Sequence, residues 1–81
     1  MGRNQIKTCE KIAETLTKGK TIAVVSARQF LNAIEKIAGS DERTKAVYSK
    51  LMFTHDFAKQ LTNDKIQINS TKEDEINETK K

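Results

Sequence analysis

Three short stretches of the chain carry residue types associated with chemistry: Gly19-Lys20-Thr21, Cys9 and His55-Asp56. The first matches the end of a phosphate-binding loop, G-x-x-x-x-G-K-[ST], in which glycine N–H groups turn inward around phosphate oxygens before the lysine arrives. The pattern fails at its other end, because the first glycine would fall at position 14, which is Glu14. A helical pattern precedes Gly19, where a phosphate loop needs a strand, so the segment reads as a helix-terminating turn. Cys9 falls in the apolar stripe of that helical pattern and reads as a small core residue, not as a nucleophile. His55 and Asp56 are neighbours on a helical pattern and point about 100° apart, which does not suit a base held by its orienting carboxylate. One histidine, one cysteine and scattered carboxylates leave no metal-ligand spacing. The expectation is a non-enzyme, with no catalytic residue, no metal site and no cofactor.

Charge carries more information. Residues 1–50 hold ten Lys or Arg (3, 7, 11, 18, 20, 28, 36, 43, 45, 50) against five acids (10, 14, 35, 41, 42), a net of +5, whereas residues 51–81 have a net of −1. A positive field of this kind favours a polyanion, and nucleic acid is the commonest one. The plainer reading of the same count is a lysine-rich solvated surface.

The elements that would position these charges follow from spacing and punctuation. Eighty-one residues make one domain, with roughly 60% of its unfolded surface buried on folding. There is no proline, so helices are interrupted only by glycine and capping residues. Asn4 can cap a helix over 4–18 in which Ile6, Cys9, Ile12, Ala13 and Leu16 recur, with Gly19 at its left-handed end. "TIAVV" (21–25) is either a strand or part of a helix by periodicity alone. The capping-box pattern Ser26-Ala27-Arg28-Gln29 favours an extended segment leading into a helix over 27–38, closed by Gly39. Ser40 or Asp41 caps a third helix whose stripe of Val47, Leu51, Thr54, Ala58 and Leu61, widened by Tyr48, Phe53 and Phe57, predicts an end near Thr62. "KIQIN" (65–69) alternates as a strand does, and its natural partner is "TIAVV". Ile6, Leu16, Phe30, Leu31, Ile34, Val47, Leu51, Phe57 and Leu61 form the expected core. The fold class is therefore mainly α: a small three-helix domain over 1–69 with a minor two-stranded element, followed by a charged, flexible tail over 70–81 that has Ile76 as its one apolar side chain.

The single cysteine excludes an intramolecular disulfide and fits a reducing, cytoplasmic setting. "MGRNQIKTCEK" lacks the apolar region of a secretory leader, and no apolar run approaches the roughly 18 residues that span a bilayer. The sequons at Asn69 and Asn77 read as chance in an Asn- and Thr-rich segment, and Ile6 stands where a myristoylation motif needs Ser or Thr.

The order helix, strand, helix, helix, strand is similar to that of a winged-helix domain up to its wing. That similarity implies that "AGSDERTKAVYSK" is the turn and start of a groove-entering helix. Arg43, Thr44 and Lys45 would then face the groove, and Ser49 and Lys50 would lie near phosphates. Arg28 and Lys36 extend the basic surface, while Asp41 and Glu42 would oppose the phosphates. The first expectation is thus a small basic DNA-binding regulatory protein of phage, plasmid or viral type. The second is a helical protein-binding module, an inhibitor, antagonist or immunity protein, using "LMFTHDF" and the tail. Met52 and Phe53 are adjacent there and cannot share one narrow core face, which leaves one of them for a partner. The partner classes are duplex DNA, another protein, and a second copy of the chain as a homodimer. Because the tail has so little apolar surface, truncation at Asn69 should leave the melting midpoint nearly unchanged in a thermal scan, and a large drop would show that the tail packs.

Overall fold

Ser26 closes one element and opens the next: it ends a strand, β1 (Ile22–Ser26), and caps a helix, α2 (Ala27–Ile37). Both halves of the expected capping box form. The Gln29 N–H donates to Ser26 Oγ at 3.1 Å and the Ser26 N–H donates to Gln29 Oε1 at 3.0 Å. The computed structural model describes residues 3–70, so the tail from residue 71 onward lies outside the described residues. Before β1 comes α1 (Arg3–Thr17), with Asn4 inside its first turn and not at its cap. After α2 come α3 (Glu42–Thr54), β2 (Ala58–Gln60) and β3 (Lys65–Asn69). Asp41 is the cap of α3, its carboxylate accepting the Thr44 N–H at 3.2 Å.

The strands pair in the order β1-β3-β2, all antiparallel. The expected pairing of "TIAVV" with "KIQIN" is present, with Ala23 opposite Ile68 and Val25 opposite Ile66. A third strand joins them, however, so among the described residues helix takes 57% and strand 19%, and the fold is mixed α/β with a three-stranded sheet, not mainly helical with a two-stranded element.

The extra strand comes from a helix that stops eight residues before its expected end at Thr62. Asp56 adopts a left-handed conformation (φ 65°), its N–H donates to Phe53 O at 3.3 Å, and the Phe57 N–H returns to Met52 O at 2.9 Å. This is a Schellman termination, with Asp56 where glycine is usual and with Phe57 and Met52 both buried beside it. Beyond it, Ala58–Gln60 finds backbone partners in Ile68–Ile66, and tertiary pairing overrides a helical period that the sequence genuinely contains. A hairpin turn joins β2 to β3. Asn63 (φ 51°) and Asp64 (φ 66°) take the two left-handed positions of a type I′ turn, and the Lys65 N–H donates to Thr62 O at 2.9 Å.

All three helices pack on one face of the sheet. Ile12, Ile34, Met52 and Ile68 are fully enclosed, with Cys9, Ala13, Phe30, Leu51, Phe57 and Ile66 around them and Ile6 and Leu16 at the margin. Three expected core residues lie outside. Leu31, Val47 and Leu61 are 41%, 38% and 43% exposed. Val47 and Leu61 belonged to a stripe that assumed an uninterrupted helix, and Leu31 stands one position past the buried Phe30 on the open side of α2. Ile34→Ala should accordingly cost about 2 to 5 kcal/mol and Leu31→Ala less than about 1 kcal/mol in urea melts. Equal costs would place the core elsewhere.

Candidate nucleic-acid interface

At 1.5 Å per residue α3 is about 20 Å long, and its 3.6-residue period separates the expected contact residues onto different faces. Arg43 and Lys50, seven residues apart, share an exposed stripe with Val47 and Thr54. Thr44 turns the other way. Its Cγ2 would lie 3.5 Å from a Cβ placed on Gly39, so it packs against the α2–α3 turn and does not face a groove. Lys45 reaches across to α2, where its Nζ lies 3.9 Å from Glu35 Oε2. Ser49 lines a shallow groove of about 240 Å³ with Leu31, Glu42, Lys45 and Ala46.

That groove continues past Leu31 and Lys45 into a wider one of about 470 Å³, bounded by Arg28 and Asn32 on α2 and by Asp64 of the hairpin turn. The turn is held in place by the backbone, since the Ala27 N–H donates to Asp64 O at 2.7 Å. Arg28, Lys45 and the hairpin turn are thus brought together. Lys36 is not part of this group: it sits in the last turn of α2, two turns beyond Arg28, where its charge suits the helix C-terminus.

The acids expected to oppose phosphates are directed elsewhere. Asp41 is engaged as the cap of α3, and Glu42 lines the α2–α3 groove, off the stripe that bears Arg43 and Lys50. Among the described residues neither Arg43 nor Lys50 makes an ion pair. Of the adjacent pair Met52 and Phe53, Met52 is fully buried and Phe53 is at the surface, its ring centroid 5.6 Å from that of Phe30. Sequence reasoning missed Asn32, Ala46, Val47, Thr54 and the Asn63-Asp64 turn. The one sequence signal for the last was the Asn-Asp pair between two alternating stretches, since both side chains tolerate a left-handed backbone.

The remaining candidates are structural in their surroundings. At Gly19-Lys20-Thr21 the Lys20 N–H donates to Thr17 O at 3.0 Å, so a backbone donor that a phosphate cradle needs closes a turn between α1 and β1. His55 is the exposed C-cap of α3, with Asp56 in the left-handed turn after it. No helix among the described residues is long and apolar enough to cross a membrane. No protein-family model, curated protein or solved structure matches the chain.

Cys9 is fully buried on the core side of α1, and burial, with a smaller contribution from Glu10, pushes its thiol up to about 11. The folded state therefore keeps the thiol proton to higher pH than the unfolded chain does, and this stabilisation is present below about pH 9 and lost as pH rises through about 11. At pH 8 the native protein should react with a thiol-specific disulfide reagent at least about tenfold more slowly than the urea-unfolded chain, because the thiol is both enclosed and held protonated. Equal rates, with the fold verified by circular dichroism, would show the thiol to be accessible.

Proposed function

We propose that the chain is a small DNA-binding protein that presents α3 to the major groove of duplex DNA. The observation that carries this reading is the pairing of Arg43 with Lys50 on one exposed stripe of α3, with the two acids at the start of that helix directed off it. Two turns of helix separate them by about 10.5 Å along the axis, a span that fits a major groove about 12 Å wide. The element order supports the same reading. Helix, strand, helix, helix, strand, strand continues the winged-helix order through its terminal hairpin, which stands where a wing would be, tied to the start of α2 through Asp64. In such an arrangement α3 is the recognition helix, Arg43 reaches a base edge near its N-terminus, and Lys50 and Arg28 meet phosphates. Lys45, already beside Glu35, contributes less.

A second reading has its own support. Ile22 and Val24 are half-exposed on β1, an edge strand with no charged residue, and Phe53 is exposed on α3. Such an edge suits a protein partner that adds a strand.

Titration of a duplex DNA with salt separates the two. Affinity should fall with a log–log slope of about 0.9 per phosphate neutralised, and Lys50→Ala should reduce that slope by roughly one. Arg43→Ala should cost about 1 to 3 kcal/mol on a preferred sequence and less on random DNA. Absence of binding at about 50 mM salt, with the protein folded, would remove this reading in favour of the protein partner.

A further inference from the structure

We infer that the exposed face of α3 reads the 5-methyl group of thymine, with Val47 as the contact residue between Arg43 and Lys50. The inference rests on the DNA-binding reading above and names the feature of the duplex that the helix would select.

Arg43, Val47, Lys50 and Thr54 follow one another at i, i+4, i+7 and i+11, so they line a single face of the helix. Val47 is a β-branched apolar residue left 38% exposed in the middle of that face. Beside it lies a hollow of about 410 Å³ whose wall is made by Val47, Leu51 and Thr54, with Lys50 and His55 as its nitrogen-bearing members. Its donors are Lys50, Thr54 and His55, whereas the Val47 and Leu51 carbons give a phosphate oxygen nothing in return for lost water. The ligand that fits offers negative charge or hydrogen-bond acceptors on its flanks and carbon between them.

Duplex DNA has that pattern in one place. In the major groove adenine, guanine and cytosine present nitrogen and oxygen atoms, and thymine adds a methyl group that apolar side chains contact. Lys50 on one side of Val47 can reach a phosphate at the border of the groove, and Arg43 on the other side a base-edge acceptor beside the methyl group. RNA lacks the methyl group, and its A-form major groove is too narrow to admit the helix. A protein partner would meet the same hollow with an apolar side chain. The charge of α3 argues for DNA, since it carries Arg43, Lys45 and Lys50 against the single acid Glu42, which faces the α2 groove.

The test is fluorescence anisotropy of the full chain, at about 50 mM salt, on three labelled 24-base-pair probes: an alternating A·T duplex, the same duplex with deoxyuridine for thymidine, and an alternating G·C duplex. The wild type should bind the thymine duplex about fourfold more tightly than the uracil one, the scale of one buried methyl group. Val47→Ser, which has no methyl group to offer, should bring that ratio close to one. Val47→Asn, of similar size and likewise without a methyl group, should also lower the ratio, which guards against a folding defect in the serine variant. Equal binding of thymine and uracil duplexes by the wild type would overturn this inference and leave the DNA-binding reading standing. So would a ratio that survives Val47→Ser in the folded protein. Failure to bind any of the three duplexes would remove both and assign the hollow to a protein partner.

Discussion

The fold depends on β3 being paired along both of its edges. Its inward residues are Ile66 and Ile68, and the register puts Ala23 on one side of Ile68 and Ala58 on the other. One large side chain between two small ones leaves a ridge with a groove on each flank. Close packing at interior density then requires apolar atoms from outside the sheet to fill the flanks, and α1, which packs on β1 and β3, brings Cys9, Ile12 and Ala13 into the same core. Removing either outer strand would expose one flank of Ile68, and removing β1 would also take away part of the surface on which α1 packs. The capping of α2 belongs to the same arrangement, because Ser26 is both the last residue of β1 and the cap of the helix.

Where local chemistry sufficed, the sequence made the fold readable. The capping box at Ser26, the glycine turns and the alternation of "KIQIN" each rest on interactions a few residues apart, and they locate α1, α2, β1 and β3 to within about two residues. The end of α3 was not legible, because its terminating position holds Asp56, a residue that adopts the left-handed conformation less often than glycine or asparagine. A helical period also ran through the boundary, and nothing local announces that Ala58–Gln60 will find β3. The candidate interface inherits that difficulty. Arg43 and Lys50 could be picked out from charge alone, whereas Thr44 and Lys45 point elsewhere for reasons of helical phase and of a partner on α2.

The early stop of α3 also explains what its surface offers. Had the helix continued, Ala58 and Leu61 would have extended the stripe that begins at Val47, and the chain would have had a longer amphipathic helix to bury. Because the chain leaves for β2 after Thr54, the core is completed by Met52, Phe57 and Ala58, and Val47 and Thr54 are left facing outward with the two cations. The proposed DNA-reading face is in this sense a by-product of the hairpin: the residues that build the sheet release the helix face from structural duty.

The pairing of β1 with β3 has a kinetic side. It joins residues 22–26 to 65–69, a sequence separation of 39 to 47 residues, while the β2–β3 hairpin closes across a four-residue connection and each helix closes only its own turns. Loop-closure entropy grows with length, so the hairpin and the helices can form before the edge strand docks. Until it does, Ile66 and Ile68 lack half their sheet, and an uncharged five-residue strand with Ile22 and Val24 on its outer face is available to any neighbouring chain. The slowest contact of this fold is therefore also the one whose delay invites misassembly, and protein concentration during refolding becomes a variable that selects between the native sheet and an intermolecular one.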